Sequence, residues 1–199
     1  MKPSTKKPVK VYLAMRRGHT GADLHSLAVL LFTREVLVQN GVLVRLGCLD
    51  DAAMVQDCNA YGPDLALVIG AEDGGADLAV YHQVSPCWER YRLSYLAACG
   101  IIGQSRRYRK LHNRPAQAGY HLVWLGRLET AAVYLQLGAK PGIAPDLPDL
   151  LDQGRACGQA ILEQLGVPYK RPQYPLVMRE QAVLTAKEGL FAQLGEKEA

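Results

Sequence analysis

Apolar and polar positions along this chain change period in a regular order. Val9–Met15 alternates with period two, as a strand does, and Leu24, Leu27, Ala28 and Leu31 then recur at helical spacing over Leu24–Gln39, which Asn40-Gly41 closes. Val42–Leu46 reads as a second strand, and Asp51–Asn59 as a short helix capped by the Asp50-Asp51 pair. Asp64–Ile69 is almost wholly apolar, the pattern of a strand covered on both faces. "GAEDGGAD" predicts a loop and Leu78–His82 another strand. Ser85 before Pro86 is a good N-cap arrangement for a helix through "SPCWERYRLSYLAACGI", after which "GQSRRYRKLHNRPAQAG" reads as irregular and basic. Tyr120–Leu125 and Ala131–Leu137 are predicted strands, and Asp149–Leu165 a helix.

Strand and helix thus alternate, which predicts an α/β fold. The expected architecture is a three-layer sandwich around a mostly parallel central sheet of about six strands. No internal repeat interrupts it. Beyond residue 169 the pattern changes. Pro168, Pro172 and Pro175 break regular structure and mark residues 170–176 as a linker. Residues 177–199 carry Val183, Ala186, Leu190 and Leu194 at helical spacing, joined by Leu184 and Phe191. An isolated helix of that length is marginal in water. Its apolar stripe is therefore expected to dock on the chain's own domain or on another chain, the second arrangement giving a homo-oligomer.

With 199 residues, 49% of them apolar, the chain can bury a full core without disulfides or metals as staples. The five cysteines are scattered without a CxxC pair, as reduced thiols are. No stretch of about 18 apolar residues exists to span a membrane. The basic N-terminus "MKPSTKKPVKVYLAM" lacks the apolar region of a secretory signal, so a cytoplasmic or phage-associated protein is expected. A net charge of +4 permits an anionic partner without demanding one.

Candidate chemistry concentrates in "YLAMRRGHTGADLHSL". A strand ends there in His19, with Asp23 and His25 close behind, which is where an α/β enzyme often holds a metal. The plainer alternative is that His19 and Asp23 bond each other or cap the following helix. Arg106, Arg107, Arg109, Lys110 and Arg114, with His112 and Tyr108 among them, form the densest charge cluster. They suit an anionic polymer or simply a solvated loop, and no nucleic-acid module surrounds them. Ser85 lies near His82 without a nucleophile elbow, and "GAEDGGAD" lacks calcium-loop periodicity.

Taken together, the pieces "KVYLAMRRGHTG", "LAVLLFTREVLVQNGVLVRL", "DLALVIGAEDGG", "AVYHQVSPCWERYRLSYLAACGI", "RYRKLHNRPAQAGYHLVWL" and "ETAAVYLQLG" stand in a shared order and spacing. Over about residues 9–169 this order resembles the zinc-dependent N-acetylmuramoyl-L-alanine amidases of the type-3 family, which cut stem peptides from peptidoglycan. The resemblance makes residues 1–169 an amidase-like domain. It implies zinc held by His, Glu and His, with a second Glu as catalytic base. His19 matches the first ligand. The ligand Glu position falls on Ala22, beside Asp23. The second His position falls on Gly70 and the catalytic Glu position on Gln136. Glu72, His25 or His82 would have to replace the missing ligand.

An amide does not titrate near neutral pH, so Gln136 cannot serve as a general base; losing one typically removes about 10²–10⁴-fold of rate. The first expectation is therefore a catalytically impaired, metal-free pseudoenzyme of bacterial or phage origin. It would bind a peptidoglycan fragment or a protein partner in a cleft around His25, Gly70, His82 and Ser85. The second is an active zinc amidase with relocated ligands (His19, Asp23 and Glu72, His25 or His82), with Glu129 as a conceivable carboxylate. The third is a structural or assembly protein acting through its basic loop and C-terminal helix.

Overall fold

Alternation in the first strand sets the layering. Val11, Leu13 and Met15 enter one buried cluster while Tyr12 and Ala14 enter another, because successive strand residues point to opposite faces. The computed structural model describes residues 7–16, 23–47, 50–73, 78–108, 115–139 and 147–171. Its elements are β1 (Lys10–Met15), α1 (Asp23–Gln39), β2 (Leu43–Gly47), α2 (Asp51–Tyr61), β3 (Leu65–Asp73), β4 (Ala79–His82), α3 (Trp88–Tyr108), β5 (Gln117–Ala118), α4 (Val123–Gly126), β6 (Ala131–Ala139) and α5 (Leu147–Gln164).

The six strands form one sheet in the order β2-β1-β3-β6-β4-β5. β1 pairs in parallel with β2 and β3, β3 with β6, and β4 with β5, whereas β4 runs antiparallel to β6. Helices α1, α3 and α5 cover one face over a large aliphatic core, and α2 and α4 cover the other over a smaller one rich in aromatic rings. The fold is the expected three-layer α/β sandwich. Among the described residues no helix is long and apolar enough to cross a membrane.

Local chemistry explains the helix ends. Asp50 accepts a hydrogen bond from the Ala53 amide at 2.9 Å, satisfying one donor that the start of α2 leaves free. Gly62 closes the helix in the left-handed region (φ 59°), its N–H reaching the Cys58 carbonyl. On the opposite face, α5 meets α1 through two glycines. A Cβ at Gly154 would lie 2.4 Å from Phe32 Cβ, and one at Gly158 2.6 Å from Val36 Cβ. Hydrogen there lets the two backbones approach.

Four expectations need correction. Tyr120–Leu125 is not a strand: the fifth strand is the two-residue β5, and the chain then turns into α4. That turn lays Leu122, Trp124, Leu125 and Leu128 on the sheet, whereas alternation would have sent Leu125 outward; short apolar runs do not distinguish the two states. The loop expected at "GAED" is still strand, since β3 stays paired with β6 as far as Asp73 opposite Ala139. α3 continues to Tyr108, so Arg106 and Arg107 occupy its last turn, where cations meet the negative end of the helix dipole, and not a loop. Ser85 makes a turn before α3, accepting from the Cys87 amide at 3.2 Å, while Cys87 itself accepts the first intrahelical bond, from Tyr91. The C-terminal helix expected over 177–199, and most of the linker before it, lie outside the described residues.

Burial also sets a response to alkali. It pushes the Cys58 thiol up to about 12, helped by the Asp57 charge, and pushes the Cys157 thiol up to about 12 against the hydrogen bond from Gln153. Burial and the bond to Asp57 raise Tyr12 as well. A group whose folded value lies above its unfolded value contributes its full share below the unfolded value and loses it as pH climbs toward the folded one. The urea midpoint is therefore expected to fall between about pH 9 and pH 12, with a shallower fall in Cys157→Ala. A flat midpoint over that window would contradict the burial of these groups.

Candidate functional site at the carboxyl ends of the strands

β1, β3 and β6 are parallel, so their carboxyl ends lie on one side, where open α/β sheets hold their ligands. Arg16 leaves β1 at that side, its amide bonded to the Ile69 carbonyl at 2.8 Å. Gly70 of β3 stands directly opposite Gln136 of β6, and Ala79 of β4 flanks Gln136 on its other side. The two positions where the resemblance implies a histidine ligand and a catalytic glutamate are thus neighbours.

The space beside Gly70 is taken. A Cβ built there would lie 2.5 Å from Tyr134 Oη and 3.1 Å from its Cε2. Tyr134 is only 3% exposed and is held on several sides. Its ring stacks on Tyr81 at 5.9 Å and meets Trp124 edge-on at 5.4 Å. Arg16 interacts with Tyr134 and lies 5.7 Å from the Trp124 ring centroid. Asp51 fixes that guanidinium with two bonds, Nε to Oδ1 at 3.1 Å and Nη2 to Oδ2 at 3.2 Å. Partial burial pulls the Arg16 pKa down, and the bond and charge of Asp51, with Tyr134 behind them, more than reverse this, so the net shift is upward.

Two polar groups at this end make no bond within the described residues. Trp124 is 7% exposed and its indole N–H has no partner. The Gln136 side chain is half-buried and likewise makes no hydrogen bond. Buried donors of this kind are normally met by water or a ligand.

Other expected site residues fall as follows. His19 lies outside the described residues, as do Arg109, Lys110 and Arg114. Asp23 is the first residue of α1, and His25 sits half-buried in its first turn. Glu72 stands in β3 opposite Gly138, two residues beyond Gly70. His82 does not join the cleft: it pairs with Val133, three register positions and roughly 10 Å from Gln136. It is buried between Tyr91 and Tyr95, each ring edge-on at 5.3 Å, with Nδ1 3.2 Å from the Gln83 carbonyl oxygen. Ser85 follows His82 away from the cleft. Glu129 precedes the opposite end of β6, roughly 23 Å of strand from Gln136, its amide bonded to Asn59.

The zinc set implied by the resemblance does not fit the described residues. Position 70 has neither a donor nor room for one, and no three His, Cys, Asp or Glu among the described residues are grouped to hold an ion. Sequence reasoning missed Arg16, Asp51, Trp124 and Tyr134. The available signal was a tyrosine in the otherwise aliphatic "AAVYL" and a glycine inside the apolar "LALVIGA", a large and a small residue that complement each other once the strands are adjacent.

No protein-family model matches the sequence, and no curated protein matches it. Solved structures do. The catalytic domain of CwlV, an N-acetylmuramoyl-L-alanine amidase from Bacillus (Paenibacillus) polymyxa var. colistinus, aligns with a TM-score of 0.64 at 17% identity, covering 80% of this chain and 100% of that one. The CwlD amidase of Clostridioides difficile, solved in complex with the GerS lipoprotein, gives 0.60 at 13% identity, covering 78% and 98%. An N-acetylmuramoyl-L-alanine amidase from Clostridium difficile 630 gives 0.58 at 12%, covering 81% and 98%. At these identities the likeness is one of fold.

Proposed function

We propose that this chain is an amidase-fold protein that binds the peptide portion of a peptidoglycan fragment without hydrolysing it. The observation that carries the reading is the Tyr134 hydroxyl standing where a side chain at position 70 would leave the backbone. A hydrolytic zinc centre needs about three protein ligands and an open position for water, and a base within reach. Gly70 gives no ligand, and Gln136 cannot take up a proton at neutral pH.

What remains suits recognition. The Gln136 amide donates and accepts at once, as a peptide bond does, so it can pair with a ligand amide edge to edge. Arg16, oriented by Asp51 and 38% exposed, is preset in direction and loses little freedom when a ligand meets it. The strand-end crevice would thus hold a stem peptide by hydrogen bonds while water stays inactive.

A second reading rests on the CwlD neighbour, whose structure contains a lipoprotein partner: the same fold in this chain would serve as a protein-binding module. Calorimetric titration with soluble muropeptides tests the first reading. Saturable binding is expected, with the ligand recovered intact and affinity about tenfold lower in Gln136→Ala. No binding, or equal binding by the variant, would overturn it.

A further inference from the structure

The outer face of α3 carries a patch of aromatic and basic side chains. Trp88 is 65% exposed, Tyr95 42% and Leu96 37%, and Arg92 is exposed among them. Positions 88, 92, 95 and 96 follow helical spacing, so these side chains share one stripe. The rings are held in place. Trp88 stacks on Tyr91 at 5.8 Å and Tyr91 on Tyr95 at 6.3 Å, and the buried His82 meets both tyrosines edge-on. A fixed cluster of exposed Trp, Tyr and Leu around an arginine has the composition of a protein interface.

Charge along the same stripe is ordered. Glu89 stands beside Trp88 in the first turn, and Arg106 and Arg107 are exposed in the last. An antiparallel copy of this helix would therefore meet it with opposite charge at both ends, whereas a parallel copy would set arginine against arginine. With Leu96 near the two-fold axis, Glu89 of each copy lies across from Arg106 and Arg107 of the other, whose guanidiniums also reach the Trp88 ring for a cation–π contact. Arg92 of each copy lies across from Gly103, where nothing stands within 4 Å of the Cβ position. The two Arg92 side chains are then offset by roughly 16 Å along the axis and the two arginine pairs by roughly 26 Å, both beyond the Debye length of about 8 Å.

We propose that this face pairs two copies of the chain through an antiparallel, two-fold symmetric contact between their α3 helices. Each end of the interface sets Trp88 and Glu89 of one copy against Arg106 and Arg107 of the other, and Tyr95 and Leu96 of both copies fill its centre. Helices packed in this way lie roughly 8–10 Å apart, close enough for the central side chains to interdigitate. Because the rings already stack on one another, little freedom is lost on pairing. An anionic polymer or membrane would gain the arginines but be repelled by Glu89. A second copy uses both signs of charge.

Charge reversal tests the pairing, read by sedimentation of the full-length chain from about 1 µM to about 500 µM, a range that covers interfaces of modest strength. The unaltered chain is expected to dimerise. Glu89→Arg, and Arg106→Glu together with Arg107→Glu, should each raise the dissociation constant by at least about tenfold, because like charges then face each other at both ends. An equimolar mixture of the two variants should recover a dimer of nearly unaltered affinity, since every end again pairs opposite charges. That recovery also shows that neither variant is misfolded. A chain that stays monomeric over the range, a dimer indifferent to both reversals, or a mixture that stays dissociated would overturn the proposal. Retention of the monomer by vesicles of acidic phospholipid or by an oligonucleotide, lost in Trp88→Ala, would overturn it too, by giving the face to an anionic surface.

Discussion

Placing a histidine at position 70 is expected to destabilise the protein by about 3 kcal/mol and to gain no metal site. The first atom of the new side chain would lie 2.5 Å from Tyr134 Oη, and the ring cannot swing aside because Tyr81, Trp124 and Arg16 surround it. Overpacking of this kind forces side chains off their rotamers or moves the strand. Tyr134→Ala alone leaves a cavity worth about 3–5 kcal/mol. The two changes together should cost less than their sum, by about 1–3 kcal/mol, since the imidazole takes space the phenol vacates. Urea unfolding of the four chains measures the coupling. Additive costs would mean that Tyr134 does not occupy the side-chain position at residue 70.

The other large effect is expected where α5 crosses α1. Gly154→Leu should lower stability by more than about 3 kcal/mol and the melting temperature by roughly 10 °C. Phe32 Cβ already stands 2.4 Å from the Cβ position, with the Thr33 amide nitrogen and the Val29 carbonyl oxygen both at 3.1 Å. Backbone atoms cannot yield as side-chain tips do, so the helices must separate. Separation also strains the bond from Thr33 Oγ1 to the Gly154 carbonyl at 3.3 Å. Gly103 in α3 is the internal control. Nothing lies within 4 Å of its Cβ position, so Gly103→Ala should be neutral or stabilise by up to about 1 kcal/mol. Thermal unfolding compares the two, and equal responses would contradict the packing described for α1 and α5.

These residues also mark how far the sequence could be read. β1, α1, β2, α2 and α5 were legible because each has a period long enough to separate helix from strand and an end marked by Asn, Gly or Asp. α4 was misread because a short apolar run fits either state, and what decided it was the need to cover Tyr134, Val68 and Ala66 on the sheet beneath. β3 and β6 ran on past their apolar stretches because strand pairing depends on the backbone, not on side-chain polarity. Arg106 and Arg107 looked like loop residues by composition, although a helix end tolerates them well.

The site divides in the same manner. That Gly70 carries no donor and Gln136 no titrating group is read from their identities; that they stand at a ligand and a base position is what the resemblance implies. What fills the vacant place did not, because the contact between Tyr134 and Gly70 exists only after β6 settles beside β3. Arg16 and Asp51 were invisible for the same reason: an exposed-looking pair far apart in the chain becomes a fixed guanidinium only when α2 packs below the end of β1. His82, expected as a replacement ligand, lies elsewhere because β4 runs antiparallel to β6 and carries it away from the carboxyl ends of β1, β3 and β6.

Incubation of the purified chain with muropeptides and added zinc, followed by separation of the products, tests the central claim most directly. The stem peptide should remain joined to muramic acid, and the protein should leave the zinc solution without a stoichiometric ion. Release of free stem peptide by a chain carrying one zinc, abolished by His19→Ala, would contradict it.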